Sequence, residues 1–256
     1  MAHYYSLEGE SRHEIVGKNG KTRPTDIRDA RKLGLFPSVS TVKETGAAYN
    51  LVNWMLNLLL DQTIVKPFHP DEFEIDEYKK MVFSMYNRQK EAPALKGNEV
   101  HAIMDKWFID GTDDGVYVPK VVALLGREFP GYTWWSEQSF VHPSGYAGRV
   151  DLWGRGADNK CVVVDFKTKD KEDIGSIAAY DDYKMQLVAY QKGLNLPDEN
   201  TRRFNCFISV AKGFEGDCAL VESKDLDKYW NMFNALFSFW KVKNGYDPSI
   251  NYSNMC

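Results

Sequence analysis

The chain has 256 residues, 43% of them hydrophobic and 27% charged, the balance of a globular fold with enough apolar material for a substantial core. A formal net charge of −4 excludes a uniformly basic, coat-like nucleic-acid binder, but leaves room for a local basic groove. The four cysteines, Cys161, Cys206, Cys218 and Cys256, form no C-x-x-C pair and no cluster with histidine, so the pattern points away from zinc fingers and towards a reducing, intracellular home.

Residues 1–23 are polar and aromatic, with a turn signal at Asn19-Gly20, and read as a small hairpin or loose arm. The opening stretch has no basic segment followed by an apolar one and carries acids early, so neither a signal peptide nor a transit peptide is expected. Residues 24–33 read as a short helix, with Pro24 near its start and Gly34 just past its end. In the following Pro37-Ser38-Val39-Ser40-Thr41-Val42, the hydroxyls of Ser38 and Ser40 have two readings: caps for the next helix, or donors to a phosphate.

Residues 47–65 form an apolar helix carrying Trp54, Met55, Leu58 and Leu59, closed by Pro67 and Pro70. Its apolar run is too short to span a bilayer. Residues 71–89 read as a charged amphipathic helix with Phe73, Tyr78, Met81, Val82 and Met85 as its stripe. Pro93 is expected to separate it from a helix over 97–109, in which His101 and Asp105 lie four apart on one face. A further helix is expected over 119–129.

The period then changes. Residues 132–141, 148–153 and 161–168 are rich in aromatic and β-branched residues and read as strands. Residues 176–194 return to helix, 204–210 and 218–221 are strands, and 225–242 form a closing helix. That helix carries Tyr229, Trp230, Phe233, Leu236, Phe237 and Trp240 at core spacing, and 245–256 read as a tail. The order predicts an α/β fold: a mixed central sheet flanked by helices, with a helical N-terminal half.

The chemistry concentrates in 145–191. Residues two apart on a strand share a face, so Asp165 and Lys167 project together with Phe166 turned away. If 148–153 and 161–168 pair as a hairpin, Asp151 comes beside Asp165. Two carboxylates suit Mg²⁺ or Mn²⁺, the backbone carbonyl of Phe166 can add an oxygen, and an ammonium can stabilise developing phosphate charge. The competing reading is an exposed salt-bridging strand. Against it, Asp165 directly follows Val162-Val163-Val164, where an unpaired charge is costly. Gln186 and Tyr190, four apart on the next helix, share a face.

Together these residues resemble the PD-(D/E)XK nuclease superfamily, and within it the RecB-like exonuclease branch that includes the mitochondrial genome maintenance exonuclease and its bacterial and phage relatives. Four pieces carry the resemblance in order, across most of 36–240. They are Pro37 to Val42, then Gly97-x-x-x-His101 with Asp105, then Gly148-Arg149-Val150-Asp151 with Val164-Asp165-Phe166-Lys167, then Gln186-x-x-x-Tyr190. Two positions depart from the usual pattern: Asp105 stands where Glu is common, and Val150 where Pro is common.

The resemblance implies a restriction-endonuclease-like fold over 36–245, with 1–35 as an arm and 246–256 as a tail. It implies that His101, Asp151 and Asp165 bind Mg²⁺ or Mn²⁺, and that Lys167 is catalytic. Gln186, Tyr190, Ser38, Ser40 and Glu137 are implied on the substrate side or in ordering the site. The late cysteine cluster of iron–sulfur relatives has no counterpart, so no such cluster is expected. The implied activity is a metal-dependent deoxyribonuclease in DNA repair or replication, an exonuclease on DNA ends or single strands. The rivals are a structure- or sequence-specific endonuclease of the same fold and a catalytically inactive nucleic-acid-binding module. The expected partners are DNA and a separate recombination or replication protein, with no membrane. The expected setting is the cytoplasm of a bacterium or phage-infected cell.

Overall fold

The computed structural model describes residues 2–17, 20–46 and 49–253. It divides into two compact units, one of 1–46 with 103–256 and one of 47–102.

The first unit is built on a five-stranded sheet in the order β5 (Thr133–His142), β6 (Tyr146–Arg155), β7 (Cys161–Lys169), β8 (Thr201–Ser209), β9 (Cys218–Glu222). All neighbours are antiparallel except β7 and β8. That parallel pair needs a crossover, supplied by helix α6 (Asp181–Gly193). The sheet is thus mixed and flanked by helices, as the alternation of periods predicts.

The centre of the sheet is apolar on both faces. Val162, Val163, Val164, Leu152, Phe207 and Ile208 are fully buried. Helix α7 (Leu226–Asn244) buries Phe233, Phe237 and Trp240 against Tyr146 and Leu187 among others, and Tyr229 against Met185 and Val188. Removing about 150–250 Å² of each such ring from water supplies much of the driving force.

The N-terminal residues are woven into this unit. Strand β1 (Tyr4–Tyr5) pairs with β4 (Phe36–Pro37) and is buried, while β2 (Glu14–Val16) and β3 (Thr22–Pro24) form a hairpin, one of the two readings of this stretch. Asn19 of its predicted turn lies outside the described residues. Helix α1 (Ile27–Leu33) begins after Asp26, whose side chain accepts from the amides of Arg28 and Asp29, and it ends at the left-handed Gly34. Pro24 belongs to β3 rather than to this helix. Two short helices follow elsewhere in the unit, α2 (Val39–Lys43) and α8 (Ser249–Ser253). The segment read as a tail is anchored: the Tyr246 hydroxyl donates to the carbonyls of Leu35 at 2.8 Å and Ala30 at 3.2 Å. Helix α5 (Val118–Glu128) packs on β9.

In the second unit, helix α3 (Tyr49–Val65) is followed by the first part of α4 (Ile75–Asp110). Gln62 is buried and its amide bridges to Gln89 Oε1 at 2.8 Å and Leu58 O at 3.2 Å. Of the expected stripe, Val82 is buried and Met81 and Met85 half-buried. The break expected at Pro93 does not occur: α4 runs through it. Proline lacks one N–H, which removes the bond to the carbonyl of Gln89 but leaves the bonds on either side to carry the helix. No described helix is long and apolar enough to cross a membrane.

Candidate metal centre in the fork of the sheet

Strands β6 and β7 pair only from Leu152↔Val164 to Arg155↔Cys161. Beyond Leu152 they part. The other half of β6 pairs only with β5 in the sheet, and the other half of β7 only with β8. Ser38 occupies the opening, making a parallel bridge to Ala147 on β6. The candidate residues stand around this fork.

Register puts four polar residues in one row across four strands. Ser136↔Leu152 and Gln138↔Val150 bracket Glu137 opposite Asp151. The antiparallel register of β6 and β7 carries Asp151 to the level of Asp165, and the parallel register of β7 and β8 pairs Asp165 with Asn205. The ladder is interrupted on both sides of Asp151. On the β5 side, Glu137 has φ +49°, a left-handed conformation that costs a non-glycine residue about 1–2 kcal/mol. On the β7 side, the Asp151 carboxylate replaces the ladder: its Oδ2 accepts the backbone N–H of Phe166 at 2.8 Å. Carboxylate oxygens of Glu137 and Asp151 lie within 4.8 Å of each other. Glu137 is further held by Arg149 at 3.1 Å.

Asp165 is completely buried. Its Oδ2 takes the Lys167 ammonium at 2.6 Å and the Asn205 amide at 2.9 Å. Its Oδ1 has no hydrogen-bond partner among the described residues. A buried carboxylate oxygen left bare costs about 1–3 kcal/mol or more. Burial lowers the proton affinity of Lys167, but Asp165 and then Asp151 outweigh it, and its pKa is raised, so it is an ammonium at neutral pH.

Helix α6 supplies the next layer. Gln186 and Tyr190 are both buried, and the Gln186 amide donates to the Tyr190 hydroxyl at 2.6 Å. Burial first, then Asp151 and Asp165, push the Tyr190 phenol well above its ordinary range, so it keeps its proton. Gly148, at the start of the Gly-Arg-Val-Asp segment, has a physical reason: a Cβ there would stand 2.8 Å from the Phe140 ring and 3.3 Å from Tyr190.

The two serines separate. Ser38 is buried and caps α2, accepting the Thr41 amide at 3.0 Å and donating to Thr41 Oγ1 at 3.0 Å. Its hydroxyl is committed to that cap. Ser40 lies inside α2 and is not a cap. His101 lies on α4 one turn before Asp105, on the same face. Asp105 is tied to β5, where the Ser136 hydroxyl donates to its Oδ1 at 2.7 Å, next to Glu137.

Two neighbours of the site escaped sequence reasoning. The signal for Asn205 is an amide, one of two polar residues with Ser209, in the otherwise apolar run Phe204 to Val210. Lys43 directly follows the Ser-Val-Ser-Thr-Val segment. Its ammonium donates to Gln186 Oε1 at 2.7 Å and lies 3.8 Å from Asp182. Burial, and after it Lys167, bring Lys43 down to about 8, against the pull of Asp182 and Asp165.

The donor set fits a hard divalent cation: carboxylates only on the sheet, one with a bare buried oxygen, and no thiolate among them.

No family model and no curated protein matches the chain. A solved structure titled "Crystal structure of SSO0001" is similar at 15% identity and a TM-score of 0.32, over 77% of this chain and 88% of that one. A likeness of that degree assigns neither a family nor a function.

Proposed function

We propose that this chain is a Mg²⁺- or Mn²⁺-dependent deoxyribonuclease that hydrolyses phosphodiester bonds, acting as an exonuclease on DNA ends or single strands. The observation that carries the reading is Asp165: a fully buried carboxylate with one oxygen held by Lys167 and Asn205 and the other bare, level with Asp151 and Glu137. The order of its motifs, which resembles the PD-(D/E)XK superfamily, supports the same reading.

In this reading Asp151, Asp165, His101 and the Phe166 carbonyl hold the ion, with Glu137 beside them. A bound divalent ion supplies an activated water near neutral pH and positive charge against the phosphorane. Lys167, kept cationic by its carboxylate neighbours, orients the attacking water and stabilises charge on the phosphate oxygens. Tyr190 keeps its proton and offers a hydrogen bond from its hydroxyl, which Gln186 holds in place by donating to its oxygen. Lys43 fixes Gln186 in turn. The free thiols Cys161, Cys206 and Cys218 fit the reducing interior of a bacterial or phage-infected cell. A separate recombination or replication protein is the partner this reading expects besides DNA.

The test is a time course on end-labelled single- and double-stranded DNA, beside covalently closed circular DNA, with Mg²⁺, Mn²⁺ or EDTA. The reading expects metal-dependent release of label from linear substrates and an inert Lys167→Ala chain. Full activity in Lys167→Ala would refute the site. Cutting of the closed circle would make the enzyme an endonuclease. Binding without hydrolysis under both metals would leave a nucleic-acid-binding module.

A further inference from the structure

Strand β7 leaves the site with a fixed step. Asp165, Lys167 and Lys169 share one face at intervals of about 6.6 Å, from a rise of about 3.3 Å per residue. At the end of that run lies an aromatic pair. The rings of Tyr180 and Tyr183 meet edge-on, with centroids 5.6 Å apart. Lys169 Nζ stands 5.3 Å from the Tyr183 ring and 5.9 Å from the Tyr180 ring, and donates to the Tyr183 hydroxyl at 3.2 Å. Lys167 and Lys43 approach the same Tyr183 ring, at 5.3 Å and 5.9 Å. Three ammonium groups therefore surround one tyrosine.

Of the acids nearby, Asp165, Asp181 and Asp182 are already engaged, while Asp170, Glu172 and Asp173 lie exposed on the loop that follows β7. Asp165 is bonded to Lys167, and Asp182 lies against Lys43. Asp181 takes the Tyr229 hydroxyl at 3.1 Å, with Lys184 and Lys228 within 4 Å. The polar partner of Lys169 is a phenol rather than a carboxylate. Beside these three ammonium groups, Tyr180 is 55% exposed.

An ammonium for phosphate next to an accessible ring for a base is the combination that takes an unpaired strand. A duplex keeps its bases stacked on each other and offers an exposed ring nothing to cover it. We propose that Tyr180, Tyr183 and Lys169 form a subsite for one unpaired nucleotide beside the bond being cut, with its base on Tyr180 and its phosphate on Lys169. The proposal rests on the nuclease reading and specifies its substrate: nucleic acid that is single-stranded at least across that nucleotide.

The experiment is fluorescence polarisation of the full chain in EDTA, where hydrolysis is stopped, with a labelled oligo-dT of about 12 nucleotides and a blunt duplex of equal length. Tyr180→Ala should weaken oligo-dT binding about tenfold, and Tyr180→Trp should restore it. Lys169→Gln should weaken it too, and lower the slope of log affinity against log salt by about 0.7. Duplex binding should be unmoved by either change. Circular dichroism checks that each variant is folded, which the exposure of Tyr180 favours. Unchanged oligo-dT binding in Tyr180→Ala would overturn the subsite, as would an equal loss on duplex. A chain that cleaves DNA but ignores Tyr180→Ala refutes the subsite and leaves the nuclease reading standing. A chain that cleaves nothing, yet binds oligo-dT through Tyr180, refutes hydrolysis and keeps the subsite.

Discussion

Asp151 Oδ2 accepts the backbone N–H of Phe166 at 2.8 Å, where the β6–β7 ladder has just ended. The side chain thereby closes the fork, and in the proposed reading it also holds the ion. These two roles can be separated. Asparagine keeps an acceptor for the Phe166 amide but loses the charge. Asp151→Asn should therefore unfold within about 1 kcal/mol of the parent in urea, while losing at least about 100-fold in metal-dependent nuclease rate. Asp151→Ala should lose both, and be less stable than Asp151→Asn.

Lys167 and Asp165 test the ion from the side of stability. Lys167→Met leaves a buried carboxylate without its cation, a change that costs about 3–5 kcal/mol in EDTA. Mn²⁺ binds only the folded chain in this reading, so it should raise the melting temperature of the parent and of Lys167→Met. Asp165→Asn should abolish that rise. A melting temperature in Asp165→Asn that responds to Mn²⁺ as the parent does would place the ion elsewhere.

Glu137 adopts φ +49° on a strand, a conformation glycine tolerates and other residues resist. Both glycine and alanine delete the carboxylate and its Arg149 pair, so comparing them isolates the backbone. Glu137→Gly should be about 1 kcal/mol more stable than Glu137→Ala by chemical denaturation. Equal stability would mean that the positive φ is lost in the alanine variant.

His142 carries a pH dependence away from the site. Burial, and then Lys192, lower its pKa to about 4, and it packs on the Tyr146 ring with its Nδ1 at 2.7 Å from Ser144 Oγ. The unfolded histidine titrates near its ordinary 6.5. Between those values the unfolded chain binds more protons, so stability is complete above pH 6.5 and falls as the pH drops towards 4. His142→Phe should flatten that part of the profile, measured as the urea midpoint at pH 7 against pH 4.5. An identical slope in the variant would remove His142 as its source.

Much of the sheet was legible because strands β5 to β9 advertise themselves by β-branched and aromatic runs broken at Gly, Asn and Pro. The α7 stripe was legible because its rings recur at helical spacing. The pairing of β1 with β4 was not, since two-residue strands carry no period, and their partners lie more than 30 residues apart. Pro93 misled because proline penalises a helix locally, while the bonds on either side of it are set by the rest of α4. Strand spacing put Asp165 and Lys167 on one face and Asp151 beside Asp165, and the β6–β7 register agrees, while the roles given to them rest on the resemblance. Lys43 and Asn205 were missed because each reaches the site through tertiary contact, Lys43 across 143 residues to Gln186 and Asn205 across 40 to Asp165.

The interruption on both sides of Asp151 has a consequence for how this sheet can change over time. The registers of Ser136↔Leu152 and Gln138↔Val150 are the same, so pairing resumes in phase after the gap. Residues at 137 and 151 can then be exchanged without turning the rest of either strand inside out. Chemistry can drift at those two squares of the lattice while the board itself stays put.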